Sequence, residues 1–263
     1  MANTEEKKLQ DTFVWERSAV YATYGEILGY YQAAAVLENS VKRDSLLDLA
    51  CGDGFITEIL SRHFKRVAGA DASAAHLETA RSRVKGVDFY ESLIEELELQ
   101  EKFDVVSMVC ILEHVENPAA VLKKVSSFLK DDGILMIQVP NSEAVNRKIA
   151  VLMGTLTACD ELSPFDINIA GHRRYYDMKG LKTDVLGAGL DIVNTGGVFY
   201  KILSNAQQDW FLANGLWNSG FGWGRVGAED KDWKNEFCRA CYEFGKERPE
   251  DCNVIYAAAK KRI

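Results

Sequence analysis

Asp48, Gly52, Gly54 and Asp71 have the types and spacing to hold a nucleotide, and His114 and His172 are side chains able to take a proton near neutral pH. Leu46 to Leu49 reads as a short buried strand, Ala50-Cys51-Gly52-Asp53-Gly54 as a tight turn of small residues, and Phe55 onward as a helix with Ile56, Ile59 and Leu60 on one face. Glycines let a ligand approach the backbone, and the first turn of a helix offers free N–H groups. Asp71 closes the next strand, 17 residues after Gly54. An acid there accepts hydrogen bonds from the two ribose hydroxyls of an adenosine. Its competing role is an N-cap, but Ser73 can cap equally well and leaves Asp71 to the ligand. His172 stands beside Arg173, Arg174, Tyr175 and Tyr176, a group suited to an anionic or phenolic ligand or to a solvated turn. His63 and His76 fall on helix surfaces and carry no chemistry in this reading.

The elements that position these residues alternate. Strands are expected at Leu46–Leu49, Arg66–Ala70, Val87–Tyr90, Phe103–Val109 and Ile134–Val139, with helices between them and a turn at Asp131-Asp132-Gly133. Short connections in a βαβαβ order imply a parallel, doubly wound sheet. The loop after the third strand carries Leu93 and Ile94, where an adenine ring would lie. Pro118 suits the first turn of the helix after the fourth strand. Beyond Asn141 the order loosens, then a helix near Met178, a strand from Leu190 and a last strand at Asn253–Ala259 bring the count to seven. Thr12–Leu37 reads as helical and aromatic, with Phe13, Trp15, Tyr21, Tyr24, Tyr30 and Tyr31, and Gly25 and Gly29 divide it into two helices. It is either an amphipathic helix on the sheet or a lid with Tyr21 or Tyr24 reaching in. Residues 197–235 are rich in aromatic residues, including Trp210, Trp217 and Trp223, with neither a clean helical nor a clean strand pattern. They suit a pocket wall, a lid or a homodimer contact.

Composition narrows the function. The 263 residues are 47% hydrophobic and 27% charged, which suits one α/β domain over 1–263, with N-terminal helices at 1–40, a ligand-binding core at 41–145 and inserts plus final strands at 146–263. A net charge of -8 with no basic block argues against nucleic acid and anionic membranes as partners. The N-terminus lacks the apolar core of a signal peptide, and no apolar run is long enough to span a bilayer, so a cytoplasmic location is expected. The six cysteines are scattered apart from Cys238-x-x-Cys241, which lacks the further ligands of a zinc site, so no metal is expected.

LLDLACGDG, VAGADAS and FDVVSMVCILEHVENPAAVLKKVSSFLKDDGILMIQVPN together resemble the successive motifs of class I S-adenosylmethionine-dependent methyltransferases. The similarity is greatest to the small-molecule branch that includes the ubiquinone-biosynthesis O-methyltransferases. It covers about residues 40–145, and Gly171–Val193 also looks like that branch. The family often has glycine where Ala50 stands. The resemblance implies a Rossmann-like fold with S-adenosylmethionine as cofactor and a small-molecule acceptor, first an oxygen, then a nitrogen or a carbon. It implies that Ala50 and Gly52 pass against the methionine half, Asp48 lies near its amino group, Asp71 and Ala72 meet the ribose, and Leu93 and Ile94 flank the adenine. A carbonyl at Val109 or Cys110 would face the amino group or the reacting methyl, and Tyr24 would reach in from the lid. His114 and His172 are the candidates for a base. A nicotinamide dehydrogenase would need a small residue at Thr57, and a nucleic-acid amino-methyltransferase a polar-Pro-Pro-aromatic turn in place of Cys110-Ile111-Leu112-Glu113. A non-catalytic relative would keep the binding motifs without turnover.

Overall fold

The computed structural model describes residues 6–8, 21–217 and 232–262. Seven strands form one sheet: β1 (Ser45–Leu49), β2 (Arg66–Asp71), β3 (Asp88–Glu91), β4 (Phe103–Val109), β5 (Leu129–Pro140), β6 (Leu190–Tyr200) and β7 (Cys252–Lys261). Their spatial order is β3-β2-β1-β4-β5-β7-β6. The first five are mutually parallel, and β7 runs antiparallel between β5 and β6. The strand order reverses between β1 and β4, so the crevice in which such a sheet binds ligands opens beyond their carboxyl ends.

The central strands are apolar on both faces because helices cover both. Leu46 of β1, Val105 of β4 and Met136 of β5 join one cluster with Ala33 and Val36, while their neighbours Leu47, Val106 and Leu135 join the cluster on the opposite face. That alternation is the two-residue period of an extended chain. The first face is covered by α1 (Ala22–Glu38) and α2 (Phe55–Ser61), and the second by α4 (Pro118–Ser126) and α7 (Met178–Gly187). Between them in sequence lie α3 (Ala74–Arg83), capped by Ser73, and the short α5 (Val145–Leu152) and α6 (Pro164–Asn168). Pro118 occupies the first turn of α4, as expected.

Two sequence expectations are corrected, and one stretch without a clear pattern resolves into elements. Gly25 and Gly29 do not divide the N-terminal helix; α1 runs unbroken through both. Each glycine costs a helix about 1 kcal/mol, and burial of Tyr24, Tyr31, Ala33, Ala35 and Val36 outweighs that. Asp131-Asp132-Gly133 is not a turn but an irregularity inside β5, where the register against β4 shifts. Gly133 is needed there because a Cβ would meet the Phe103 carbonyl oxygen at 2.9 Å. Residues 197–217 are ordered elements: the end of β6, then α8 (Asn205–Asn214). Phe199 is fully buried with Tyr24 and Tyr31 of α1 and Tyr242 of α9 (Trp233–Glu247). Phe13, Trp15, Phe221 and Trp223 lie outside the described residues.

The turn between β1 and α2 holds two left-handed glycines with different surroundings. Gly54, at φ +78°, lies so close to α3 that a Cβ would meet Ala80 Cβ at 2.9 Å, whereas Gly52, at φ +55°, has nothing within 4 Å. Gly54→Ala is therefore expected to cost about 3 kcal/mol, strain plus overpacking, and Gly52→Ala about 1 kcal/mol, strain alone. Urea denaturation of the two variants checks this, and equal losses would show that the α2–α3 contact is not the constraint.

Candidate functional site

At the end of β1 the chain turns through Ala50, itself at φ +48°, and at the end of β4 through Cys110 at φ +56°. Non-glycine residues hold this conformation under strain, and such residues gather at functional sites. The preference for glycine at position 50 thus has a backbone cause. Asp48, 2% exposed, lies beneath the turn. Its Oδ2 accepts from Thr57 Oγ1 and its Oδ1 from Ser107 Oγ, both at 2.6 Å. Asp71, at the end of β2, accepts from the Gly52 amide at 2.9 Å and from the Ser73 amide at 2.9 Å. Ser73 caps α3 as expected, but Asp71 is not left wholly to a ligand, since it also fixes the turn. Each oxygen has used one acceptor position and retains another.

Above these strand ends lies a cavity of about 670 Å³. Asp48, Ala50, Gly52, Asp71, Ala72, Leu93 and Ile94 line its β1–β3 side, and Val109 and Cys110 its middle. Leu93 and Ile94, 9% and 8% exposed, make an apolar wall. Tyr24, His114 and His172 also line it, whereas Gly54, Arg173, Arg174 and Tyr176 do not. The Tyr24 ring lies 6.0 Å from that of Phe199. His76 is not on a surface: it is 8% exposed, lines the cavity and places Nδ1 3.7 Å from Asp71 Oδ1. α3 turns its first residues toward the ligand space, which helical periodicity alone does not reveal.

The segment Gly171–Tyr176 is neither an exposed turn nor a cluster of free cations. Arg174 donates to the carbonyls of Leu112 at 3.0 Å, Val115 at 2.5 Å and Glu116 at 3.2 Å, and the Arg173 amide donates to Glu113 O at 2.8 Å. His114 Nδ1 donates to Gly171 O at 3.1 Å. The loop after β4 and the segment before α7 are thereby clasped together. Arg173 pairs with Glu6 at 2.7 Å.

Between the clasp and α5 lies a buried polar group. His172 Nδ1 is 3.8 Å from Asp166 Oδ1, and that oxygen accepts from Tyr175 OH at 2.8 Å. Arg147 stacks 3.9 Å from the centre of the Tyr175 ring and lies 3.7 Å from Asp166 Oδ2. Burial pushes His172 down to about 4 and His114 down to about 3, so both are uncharged at neutral pH. Burial pushes the Glu113 carboxyl up to about 8, although the Cys110 thiol and Arg174 favour its ionised form. Glu113, His114 and His172 set their ligand-type atoms within 4.8 Å of one another, a spacing that suits a shared proton or a cation. Glu113, Asp166, Arg147 and His76 were missed in the sequence; only Glu113, an acid inside an apolar stretch, carried a local signal.

The pattern of a family described as a methyltransferase domain matches residues 24–195. The chain belongs to that family. It is an S-adenosylmethionine-dependent methyltransferase. The ubiquinone biosynthesis O-methyltransferase of Neisseria meningitidis is 28% identical over 204 residues, 72% of this chain and 82% of the relative. A solved S-adenosylmethionine-dependent methyltransferase from Mesorhizobium loti shares the fold at a TM-score of 0.57 and 15% identity, covering 89% of this chain and 100% of that one. The cyclase SpnF shares it equally, at a TM-score of 0.57 and 17% identity, covering 96% of this chain and 87% of that one. No helix among the described residues is long and apolar enough to cross a membrane.

The site of the methyltransferase fits its cofactor on its own geometry. The open space at Gly52 admits a ligand against the backbone, Asp71 has acceptor capacity left at the end of β2, and Leu93 and Ile94 supply an apolar slot.

The protonated state of Glu113 has a consequence for stability. Its folded pKa lies above the unfolded value, so the stability present below about 4.5 is lost as pH rises toward 8. The histidines slope the other way, losing stability as pH falls below 6.5. Glu113→Gln keeps a neutral side chain and removes only the first slope. The variant should gain on the parent by a few kcal/mol between pH 5 and pH 8, measured by urea denaturation. A difference independent of pH would mean that Glu113 is ionised in the folded protein.

Proposed function

We propose that the chain transfers the methyl of S-adenosylmethionine to an oxygen of a small metabolite, with His172 taking the acceptor's proton. The observation that carries this reading is the neutral His172 imidazole in the cavity wall with a carboxylate beside it. At 3.8 Å the Asp166 carboxylate is too far for a hydrogen bond, yet close enough to stabilise an imidazolium by Coulomb attraction. Nδ1 faces Asp166, which leaves Nε2 to accept the hydroxyl proton. Bound S-adenosylmethionine supplies an electrophilic methyl on a sulfonium. The protein's work is to orient the acceptor in line with it and to exclude water.

The residues divide the labour. Asp71 holds the ribose hydroxyls, with Ala72 beside it, and Gly52 and Ala50 give backbone contact to the methionine half. Asp48 attracts the amino group from below, and Leu93 and Ile94 sandwich the adenine. Val109 and Cys110 mark the boundary at which the methyl meets the acceptor. Tyr24 closes the acceptor side. His114 is a positioning residue, because its Nδ1 ties the β4 loop to Gly171. The described residues of the N-terminal segment support a lid: Glu6 lines the cavity and pairs with Arg173, Lys7 pairs with Glu91, and Tyr21 rests on Phe165 with ring centres 5.6 Å apart.

Calorimetric titration with S-adenosylhomocysteine, with NAD as control, tests the cofactor half. Binding with Kd on the order of micromolar is expected for the first and none for the second. Asp71→Ala should weaken that affinity by about 1.5–3 kcal/mol, since a charged acceptor of two hydroxyls is lost. An unchanged affinity would remove Asp71 from the ribose.

The base is tested separately. His172→Gln should lower turnover by about 10²-fold or more while leaving homocysteine-analogue affinity intact. His114→Gln should act mainly on stability, by about 1 kcal/mol through the lost bond to Gly171. Full turnover in His172→Gln would mean that the acceptor loses its proton without help from this residue.

A further inference from the structure

Lys201 follows the last residue of β6 and stands at the sheet edge where β4 and β5 end and β7 begins. It is 3% exposed. Its ammonium donates to Asn205 Oδ1 and lies 4.8 Å from the centre of the Tyr24 ring. Both partners line the cavity on the side away from the β1–β3 turns, so the ammonium sits in the second layer of that wall. Neither partner carries a charge. Among the described residues the charged group that acts on Lys201 is another cation, Arg147, which itself lines the cavity. Burial and Arg147 together push the amine down to about 7.

Among the described residues the Lys201 ammonium has a hydrogen-bond acceptor but no ion-pair partner. Arg147 faces Asp166 at 3.7 Å, and Asp209 gives Oδ1 to the Tyr24 amide at 2.9 Å. Glu113, His114 and His172 are uncharged near neutral pH. Asp209 evens the count of charges in this half but forms no ion pair with Lys201. Residues Ser204, Asn205 and Ala206, at the start of the ten-residue helix α8, also line the wall, so the positive end of a helix dipole adds to it. A buried cation without a counter-ion is costly to the folded protein, and a ligand anion removes that cost.

Resting on the reading of this half as the acceptor side, we propose that the acceptor carries a carboxylate and that Lys201 recognises it, the carboxylate replacing the Asn205 oxygen on the ammonium. The methyl-accepting hydroxyl then points toward His172, with the acid group anchored at the β6 end. An amide of the same shape offers no charge to Lys201 and is rejected.

The experiment uses the full chain loaded with S-adenosylhomocysteine and titrated calorimetrically with matched pairs: benzoate and benzamide, acetate and acetamide, succinate and succinamide. At least one acid should bind about tenfold or more tighter than its amide. Lys201→Met should erase that preference. The same variant should unfold at a higher temperature, because a buried unpaired charge has been removed. Titration of each variant with S-adenosylhomocysteine alone reports whether the cofactor half is formed. No acid preferred over its amide in the parent overturns the proposal while leaving the acceptor reading in place. A preference that survives Lys201→Met overturns the role of Lys201. An acid that competes with S-adenosylhomocysteine rather than binding beside it overturns the division of the cavity into two halves, and the proposal with it.

Discussion

A carboxylate buried at the end of β1 is the constraint on which the rest of the site depends. Asp48 joins three elements through two short hydroxyl bonds, one from Thr57 on α2 and one from Ser107 on β4. Without them a carboxyl group at 2% exposure would be poorly solvated. With them, β1, β4 and α2 meet at one point, where the strand order reverses. Just beyond that point both strands leave the sheet through left-handed residues, Ala50 and Cys110. The crevice between those turns is where the proposed function seats the cofactor. Thr57 shows how one hydroxyl separates two chemistries on one fold. A dinucleotide fingerprint wants a small residue there for close packing of helix on strand, whereas here the threonine is fully buried and spends its hydroxyl on Asp48.

The parallel core was legible because its signals are local. Apolar runs bounded by turn residues gave the strands, and a carboxylate at a strand end marked Asp71, which lines the cavity. What Asp71 does for the turn was not legible, since its bond to the Gly52 amide crosses 19 residues of sequence. The same limit hid the clasp. Arg174 reaches three backbone carbonyls between positions 112 and 116, and a backbone acceptor leaves no mark on residue type. A run of histidine, arginines and tyrosines therefore looked like a ligand site, although most of it holds two loops together. Arg147, Asp166 and Lys201 come from elements after β5, where connections are irregular and periodicity says little. The two glycines of α1 misled for the opposite reason: propensity is local, and the burial that overrides it is not.

The two sides of the cavity are built on different electrostatic rules. On the cofactor side, Asp48 and Asp71 each accept two hydrogen bonds from hydroxyls or amides, so their positions are set before a ligand arrives. Such fixed acceptors act without reorganisation. On the other side, burial holds Glu113, His114 and His172 in their neutral forms. A proton released there meets groups that are uncharged and close together, in surroundings where a charge is expensive. Asp166, steadied by Ser163 and Tyr175, is the fixed charge that makes one of those groups, His172, the better place for it.

Fold alone does not choose the reaction, since a cyclase shares this architecture at the same TM-score as a methyltransferase. The choice must lie in what the chain adds beyond β5 and in how that addition is coupled to the core. Here the coupling is physical. The loop after β4 carries Cys110 at its start and Glu113 and His114 further along, and it is held from the far side by Gly171, Arg173 and Arg174. Neither piece has its shape alone: the loop's carbonyls would lack donors, and the arginine would lack acceptors. The boundary between cofactor and acceptor is therefore assembled when the segment before α7 docks.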